Sequence, residues 1–467
     1  MHHPITLLQV SNCLSATTFS LQKPFLDTQI VGVTTDTRTL KSGEVFVALK
    51  GERFDGHQFV EAALSNGASC AVVETEFARA YREWPLLAVD DPLMAYQKIA
   101  SMWRHQFSIP IIGVTGSVGK TTTKELIATV LSTQGQVHKT QANYNNEIGV
   151  PKTLLQLTEN HDYAVVEMAM RGPGEIAELT RITDPTIGLI TNVGTAHIGR
   201  LGSEDAIARA KCELLAEMSS ESTAILNADN QRLIKTAAKV WSGQTLTYGL
   251  EQGDLRGELI DAETLRVEGV DLPLPLPGAH NASNFLAALA VLKVLSSPDL
   301  SPQERYAPLI SGVTVELPAG RAKKYQLPGD ILILDETYNA GLESMIAALK
   351  LLKQTSAQRF IAVLGTMKEL GERSPEFHHQ VGQMAHELDL DALFILAEPL
   401  EAKAMAEGAV GLSQIETIDV NSEMAHQKLA RMLTAFAQPG DCFLFKASHS
   451  VELNRVVDDL RTTLGHE

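Results

Sequence analysis

The chain has 467 residues, of which 39 are basic and 56 are acidic, giving a formal net charge of −17 at pH 7. This balance, without any Lys/Arg-rich run, argues against a nucleic-acid partner, and no run of about 18 apolar residues is present to span a membrane. Four scattered cysteines, with no C-x-x-C pair, indicate reduced thiols. No Lys or Arg precedes position 23, so we expect a cytoplasmic protein without a secretory signal, divided into roughly three domains.

The first segment, residues 1–107, predicts a small α/β domain. A short strand at 44–49 and a helical piece at 58–65 alternate with polar loops. One of these loops carries Asp36 and Arg38 among threonines, a composition that suits a pyrophosphate. The alternative is a turn tied by these two side chains.

A glycine loop at 115–122 is the strongest functional signal in the chain. An apolar run of strand type precedes it and a helix-forming segment follows, which is the setting of a phosphate-binding loop. Gly116 and Gly119 let backbone N–H groups surround an anion, Lys120 can reach the β- and γ-phosphates, and the Thr121 hydroxyl can hold Mg²⁺. Valine stands at 114, where the usual spacing has glycine. A glycine-rich turn that only packs a helix on a sheet is the alternative.

The second and third segments, 108–317 and 318–467, each alternate strand-like and helical stretches, which predicts two parallel sheets, the later one Rossmann-like. In the second segment the predicted strands are 109–114, 163–167, 186–190 and 223–226, followed by a β-rich patch at 246–276 and a helix at 284–295. In the third segment the predicted strands are 331–334, 360–364, 392–396 and 442–445, with a helix at 424–436.

Polar residues follow the predicted strands of the second segment. Glu167 ends one strand and His197 lies just beyond the next, so a carboxylate and an imidazole can converge on a divalent cation. Because Mg²⁺ prefers oxygen ligands, the imidazole points to Mn²⁺ tolerance or to a second metal. The alternative for His197 is a loop histidine that is hydrogen-bonded to the backbone. From the sequence alone, Lys211, on a predicted helix at 203–218, is interpreted as a solvated surface lysine.

Two further groups lie where a ligand that spans two domains would sit. Asn281 and Asn284 open a helix, and their amides either hydrogen-bond the edge of a base or cap the helix. Arg321 follows a Pro-Ala-Gly turn, and Asp335 ends the first strand of the third segment.

Taken together, these motifs resemble those of the Mur ligases, ATP-dependent amide-forming enzymes of peptidoglycan precursor synthesis. The resemblance covers all three segments. It rests on Thr-Gly-Ser-Val-Gly-Lys-Thr-Thr from 115, Asn-Tyr-Asn-Asn-Glu-Ile-Gly-Val-Pro from 143, Glu167, the 192–197 loop, Lys211, Gly-x-His-Asn-x-x-Asn from 278, Gly320-Arg321 and Asp-x-x-Tyr-Asn from 335.

The resemblance implies roles for individual residues. ATP would be bound by Gly116, Ser117, Val118, Gly119, Lys120, Thr121, Thr122, Asn281, Asn284, Arg321 and Asp335. Magnesium, with two ions and Mn²⁺ as a substitute, would be held by Thr121, Glu167, His197 and a carbamylated Lys211. The other substrates would be bound by Asp36, Arg38, Asn145, Asn146, Tyr338 and Asn339. The catalytic residues would be Lys120, His197 and Lys211.

The resemblance further implies a monomeric ligase that adds D-alanyl-D-alanine to UDP-N-acetylmuramoyl-tripeptide through an acyl phosphate. Residues 1–107 would bind the UDP-sugar, 108–317 would bind ATP, and 318–467 would bind the incoming amine and close on ATP. Thr366 and Gly341 depart from the usual residues of this branch, Asp and Asn, and bear on the dipeptide pocket. The alternatives are a MurE-like or folylpolyglutamate synthase-like ligase, and a GTPase-type switch, whose Asn-Lys-x-Asp segment is absent from the sequence.

Overall fold

The computed structural model describes residues 5–22, 24–51 and 54–465. Its strands form three separate sheets, each built from one continuous stretch of chain and each mostly parallel. Helices cover the sheets and bury the apolar strands, as parallel sheets require. The α/β fold class predicted from the sequence is confirmed.

The first sheet has the order β1-β5-β4-β3-β2, in which β1 runs antiparallel to β5 and the other pairs are parallel. The predicted helical piece at 58–65 is a 3₁₀ turn, Gly56–Phe59, that continues into α2. The strands are β1 Thr17–Phe19, β2 Val33–Thr34, β3 Val45–Val47, β4 Cys70–Glu74 and β5 Leu86–Val89. The helices are α1 Leu7–Leu14, α2 Val60–Ser65, α3 Thr75–Ala80 and α4 Pro92–Arg104.

The second sheet has the order β14-β13-β12-β11-β10-β9-β6-β8-β7. Its predicted β-rich patch forms an antiparallel meander, β12 to β14, at one edge. The strands are β6 Ile111–Thr115, β7 Val137–Lys139, β8 Tyr163–Glu167, β9 Ile187–Ile190, β10 Thr223–Asn227, β11 Gln244–Gly249, β12 Leu255–Leu259, β13 Thr264–Val267 and β14 Val270–Pro273. The helices are α5 Lys120–Leu131, α6 Gly149–Leu154, α7 Glu175–Thr183, α8 Ile198–Leu201, α9 Glu204–Glu217, α10 Gln231–Ala237, α11 Ala279–Leu295 and α12 Pro302–Tyr306.

The third sheet has the order β15-β16-β20-β17-β18-β19, and only β15 runs antiparallel to its neighbour among these described strands. The strands are β15 Lys323–Leu327, β16 Ile331–Glu336, β17 Arg359–Gly365, β18 Ala392–Ala397, β19 Ile415–Asp419 and β20 Asp441–Lys446. The helices are α13 Leu342–Gln354, α14 Ser374–Glu387, α15 Pro399–Gly408, α16 Ala425–Phe436 and α17 Asn454–Leu464.

The strand order of the second sheet determines where the site lies. β6 pairs with β8 on one side and β9 on the other, so the glycine loop after β6 stands between Glu167 and the loop after β9. The expectation that Glu167 and His197 follow neighbouring strands is therefore wrong in the sheet, although it holds along the chain. Ligands of open α/β sheets bind at this carboxyl edge.

The three sheets are joined by buried contacts. In α4, the Trp103 indole donates to the Leu157 carbonyl at 3.1 Å, and Arg104 donates to the carbonyls of Thr183 and Asp184, each at 2.9 Å. On the other side, the backbone N–H of Gly199 donates to a carbonyl of the third sheet's region at 3.0 Å. No helix among the described residues is long and apolar enough to cross a membrane.

Candidate active site

The glycine loop after β6 needs its two glycines for space as well as for conformation. Gly116 has φ +149, and a Cβ there would lie 1.9 Å from the Thr191 hydroxyl oxygen. Gly119 has φ +81, and a Cβ there would lie 2.7 Å from Oδ1 of Asn284. Since φ in this region favours glycine, any other residue would distort the loop that begins α5.

The loop is held open by the segment that follows β9. The backbone N–H of Ser117 donates to the Asn192 carbonyl at 3.1 Å, and that of Val118 donates to Oδ1 of Asn192 at 3.0 Å. The Thr191 hydroxyl donates to the Val118 carbonyl at 2.7 Å, and the Gly194 N–H donates to Oγ of Ser117 at 2.9 Å. These bonds fix the backbone before any anion is bound.

Lys120 begins α5 and folds over the loop. Its Nζ donates to the Gly116 carbonyl at 2.9 Å and to that of Ser117 at 3.4 Å. Burial lowers the pKa of Lys120, the negative charge of Glu167 opposes this shift, and the positive charge of Arg321 adds to it. Arg321 comes from the third segment, so two domains place cations at one loop.

Glu167, at the end of β8, is buried and has one oxygen occupied. Its Oε1 accepts from the Thr121 hydroxyl at 3.2 Å and from Nδ2 of Asn145 at 2.8 Å. Its Oε2 is buried and accepts no hydrogen bond from the residues that the structure describes. The sequence-predicted residues Thr121, Asn145 and Glu167 therefore do come together, and one carboxylate oxygen of Glu167 is left without a hydrogen bond among the described residues.

Behind Glu167 lies a charged network that sequence analysis missed. Lys124 of α5 is fully buried, and its Nζ contacts the Thr140 carbonyl at 2.8 Å, Oε1 of Glu125 at 2.9 Å and Oε2 of Glu167 at 3.9 Å. Glu125 also pairs with Lys139, whose side chain is 33% exposed. The Thr140 hydroxyl accepts from the Glu167 N–H at 3.0 Å. The network thus anchors both the backbone and the carboxylate of Glu167.

Lys211 is buried, so its interpretation as a solvated surface lysine is wrong. It lies in α9 with 0% exposure, and its Nζ has no hydrogen-bond partner within the described ranges. Burial, followed by the positive charge of Lys120, holds the pKa of Lys211 well below its usual value. A buried amine of this kind is readily deprotonated and therefore nucleophilic.

His197 faces the third segment rather than Glu167. Its Nδ1 lies 2.5 Å from Oε2 of Glu369, and no hydrogen bond or ion pair joins it to Glu167 in the described part of the chain. Burial lowers the pKa of His197, Glu369 opposes the shift, and Lys211 and Lys120 add to it. The alternative prediction, in which the His197 side chain is hydrogen-bonded to the backbone, is not found among the described residues.

A three-residue metal centre is not preformed. No group of three or more His, Cys, Asp or Glu side chains is placed to hold a metal ion among the described residues.

Of the remaining predicted ATP residues, Asn284 lies beside the glycine loop, where its Oδ1 faces Gly119. Asn284 accepts from the Thr123 hydroxyl at 3.2 Å, and Nδ2 of Asn281 donates to the Pro277 carbonyl at 2.8 Å, so both amides bind protein groups at the start of α11. Thr122 is half-buried in the first turn of α5. Asp335 is buried, and its Oδ1 accepts from the backbone N–H of Thr337 at 3.0 Å and from its hydroxyl at 2.6 Å.

Arg321, Tyr338 and Asn339 form one cluster in the third domain. The Arg321 guanidinium lies 4.2 Å from the centre of the Tyr338 ring, and its Nε is buried without a hydrogen-bond partner in the described residues. The Asn339 carbonyl accepts from Nζ of the buried Lys446 at 3.0 Å. Burial lowers the pKa of Lys446, which the sequence analysis did not single out as a site residue.

In the first domain, Asp36 and Arg38 form the turn that was the alternative to a pyrophosphate-binding loop. Asp36 accepts from the Arg38 backbone at 3.0 Å and pairs with its guanidinium at 2.6 Å, while the Arg38 side chain is 86% exposed. Hydrogen bonds from Arg38 lower the pKa of Asp36 to about 2, and Lys152 of the middle domain contributes. Asn146 caps the N–H of Gly149 at 3.0 Å.

The two departures from the family pattern have different settings. Thr366 is buried and its hydroxyl donates to Glu398, which also pairs with Lys368. The carboxylate of Glu398 thus stands beside the threonine hydroxyl. Gly341 precedes α13, and its N–H donates to Oγ of Ser344 at 3.1 Å.

Models of three Mur ligase domains match the chain in order. The Mur ligase family catalytic domain matches residues 29–104, the Mur ligase middle domain matches 114–292, and the Mur ligase glutamate ligase domain matches 320–449. The chain belongs to the Mur ligase family.

Individual relatives cover nearly all of this Mur ligase. The UDP-N-acetylmuramoyl-tripeptide–D-alanyl-D-alanine ligase of Synechocystis sp. is 54% identical over 460 residues, which are 98% of each chain. A crystal structure of MurF from Acinetobacter baumannii has a TM-score of 0.85 at 31% identity, covering 98% of this chain and 99% of that one. MurF from Thermotoga maritima in complex with ADP has a TM-score of 0.80 at 30% identity, covering 95% and 99%.

We predict that Lys124→Met strongly destabilises the middle domain. The substitution leaves Glu125 and Glu167 buried without this cation, and breaking a buried ion pair costs about 3–5 kcal/mol. The measurement is hydrogen–deuterium exchange of the α5 amides in increasing urea, because a three-domain chain need not unfold in one step.

The matched control is Lys139→Met, at the partly exposed end of the same network, where we expect a loss of less than about 1 kcal/mol. Equal losses of stability in the two variants would contradict the prediction that the buried Lys124 contributes more than Lys139.

Proposed function

We propose that this Mur ligase joins D-alanyl-D-alanine to UDP-N-acetylmuramoyl-tripeptide with hydrolysis of ATP to ADP and phosphate. The observation that carries the proposal is that Lys120 folds over the glycine loop, while burial and the positive charge of Arg321, from another domain, lower its pKa. Burial and the charge of Lys120 in turn lower the pKa of Lys211, which is unpaired among the described residues. The substrates follow from the names of the relatives that match over 98% of the chain. The reaction would take place in the cytoplasm and contribute to cell shape, growth and division.

The reaction proceeds in two displacement steps. A carboxylate oxygen of the tripeptide attacks the γ-phosphorus, forming an acyl phosphate as the bond to ADP breaks. The dipeptide amine then attacks the acyl carbon, which forms the C–N bond and a tetrahedral intermediate. The nitrogen loses its proton to water, and the intermediate expels phosphate as the C=O bond re-forms. The first step brings two anions together, so the charges of Lys120 and Arg321 and the N–H groups of the loop supply the main stabilisation.

The residues present fit a divalent cation. The buried Oε2 of Glu167, which accepts no hydrogen bond among the described residues, and the Thr121 hydroxyl are oxygen donors of the kind that Mg²⁺ prefers. The unpaired Nζ of Lys211 would supply a further oxygen ligand if it were carbamylated. We propose two Mg²⁺ sites, with Mn²⁺ as a substitute because of the imidazole. Bound there, the cations would neutralise phosphate charge.

Each domain takes one substrate in this proposal. Residues 1–107, with Asp36 and Arg38, bind the UDP moiety, and Asn145 and Asn146 of the middle domain, 108–317, line the path of the sugar. Asn281 and Asn284 lie by the adenine, after giving up the protein contacts that they make here. Residues 318–467, with Arg321, Asp335, Tyr338 and Asn339, close on ATP and receive the dipeptide, which excludes water from the acyl phosphate. We propose that the chain acts as a monomer.

The proposed reaction is tested by an ADP-release assay in which UDP-muramoyl-tripeptide and D-alanyl-D-alanine are each omitted in turn. A ligase releases ADP at its full rate only when both are present. Full activity with diaminopimelate and the UDP-muramoyl-dipeptide, or with a folate and glutamate, would instead identify one of the alternative ligases. ADP release with ATP alone would indicate a nucleotide switch.

We predict that Lys120→Ala abolishes ligation without unfolding the protein. Lys120 places a cation on the transferring phosphoryl group, and its loss costs on the order of 3 kcal/mol or more in the barrier. The measurement is kcat/KM for ATP. The matched control is Lys403→Ala, on α15, where the side chain is 73% exposed and parental activity is expected. A Lys120→Ala variant within threefold of the parent rate would refute the phosphate-loop assignment.

We predict that Lys211 acts as a carbamate. Lys211→Ala should lose most activity and regain part of it with a short carboxylic acid in solution, whereas Lys211→Arg should stay inactive because guanidinium keeps its charge. A ¹³C NMR carbamate signal from labelled CO₂ should be present in the parent protein and absent from both variants.

The control for helix integrity is Arg209→Ala, an exposed position on the same helix, where we expect parental activity. Activity in Lys211→Arg would show that no carbamate is needed.

A further inference from the structure

We infer that Glu369 of the third domain is a positioning residue for His197, so that docking of this domain prepares the imidazole to bind a cation. The inference rests on the metal role of His197 in the proposed function. Glu369 lies in the loop after β17 and His197 in the loop after β9, so the contact joins two domains.

Glu369 makes three contacts with one turn of the middle domain. Its Oε2 lies 2.5 Å from Nδ1 of His197, and its Oε1 lies 3.3 Å from Nη2 of Arg200. Its backbone carbonyl accepts from the Gly199 N–H at 3.0 Å. Because side chain and backbone are both engaged, the carboxylate has a defined position relative to the imidazole.

The backbone around this contact is shaped for close approach. His197 has φ +66 and Glu369 has φ +65, a region that residues with a Cβ rarely occupy unless their surroundings impose it. Between them the two main chains touch, since a Cβ on Gly199 would lie 2.5 Å from the nitrogen of Gly371. Both residues at this interface therefore have a backbone conformation that the surrounding contacts must support.

The chemistry of the pair follows from the two ring nitrogens. The carboxylate of Glu369 lies at ion-pair distance from Nδ1, and its negative charge favours the tautomer that carries hydrogen on Nδ1 and leaves Nε2 free of hydrogen. That free nitrogen is the atom that a divalent cation binds. The His197 side chain is 23% exposed, so a ligand can reach it in the docked arrangement.

A second carboxylate allows the positioning of His197 to be distinguished from the docking of the third domain. Glu343, at the start of α13, also crosses to the middle domain, where it accepts from the Thr195 N–H at 2.7 Å and from the Thr195 hydroxyl at 3.2 Å. It binds the same loop as Glu369 and makes no contact with His197 among the described residues. Removing Glu343 therefore weakens docking without removing the partner of the imidazole.

The experiment measures Mn²⁺ binding by EPR titration of the full chain in the presence of ADP, for the parent, Glu369→Ala, Glu343→Ala and His197→Ala. Loss of the partner of a metal-bound histidine typically weakens metal affinity ~10–100-fold. We expect a loss in this range for Glu369→Ala and for His197→Ala, and a smaller loss for Glu343→Ala. Glu369→Gln, which keeps an oxygen of partial negative charge near Nδ1 but loses the full charge, should recover part of the affinity. Kinetics should show a raised Mg²⁺ requirement in Glu369→Ala.

Three outcomes overturn the inference. If Glu369→Ala binds Mn²⁺ as the parent does while His197→Ala does not, the metal role of His197 stands and only the positioning role fails. If Glu369→Ala and Glu343→Ala lose the same affinity, the contact serves docking alone. If His197→Ala retains parental affinity, the metal role fails and the inference fails with it, whereas the ligase reaction is judged separately by ADP release.

Discussion

The active edge of this Mur ligase is built around buried positive charge that nearby carboxylates balance only in part. Lys120, Lys211 and Arg321 approach one another although the chain carries a net charge of −17. Nζ of Lys211 and Nε of Arg321 are both buried without a hydrogen-bond partner in the part of the chain that the structure describes. Because unpaired buried charge is costly, such an edge is stable only if amines lose protons or anions enter.

Sheet topology explains why these groups meet. With β6 central and β8 and β9 on either side, the glycine loop is flanked by Glu167 on one side and by the 192–197 loop on the other. The carboxylate side is rigid, since the buried Lys124 network anchors Glu167. The imidazole side is completed from the third domain. One half of the site is therefore preformed, and the other depends on how two domains are arranged.

Much of this could be predicted from the sequence, because apolar runs specify buried strands and glycine spacing specifies the loop; β8 has the predicted bounds. The burial of Lys211 could also have been predicted from the sequence. It lies four residues after Ile207 and four before Leu215, both buried, so helical periodicity puts it on the apolar stripe. The pairing of His197 with Glu369 could not have been predicted, since contacts between domains and positive φ values leave no local pattern in the sequence.

The arrangement links domain docking to the phosphate loop through a short chain of contacts. Glu369 and Glu343 bind the 195–199 turn, and a few residues earlier Asn192 holds the Val118 N–H of the phosphate loop with its side-chain oxygen. A shift of the docked domain would therefore move the backbone groups that bind the nucleotide. The coupling also acts in the other direction. Phosphates that fix the loop would also fix the turn that the third domain binds. Nucleotide binding and closure would then strengthen each other, which protects an acyl phosphate from water at the stage when it exists.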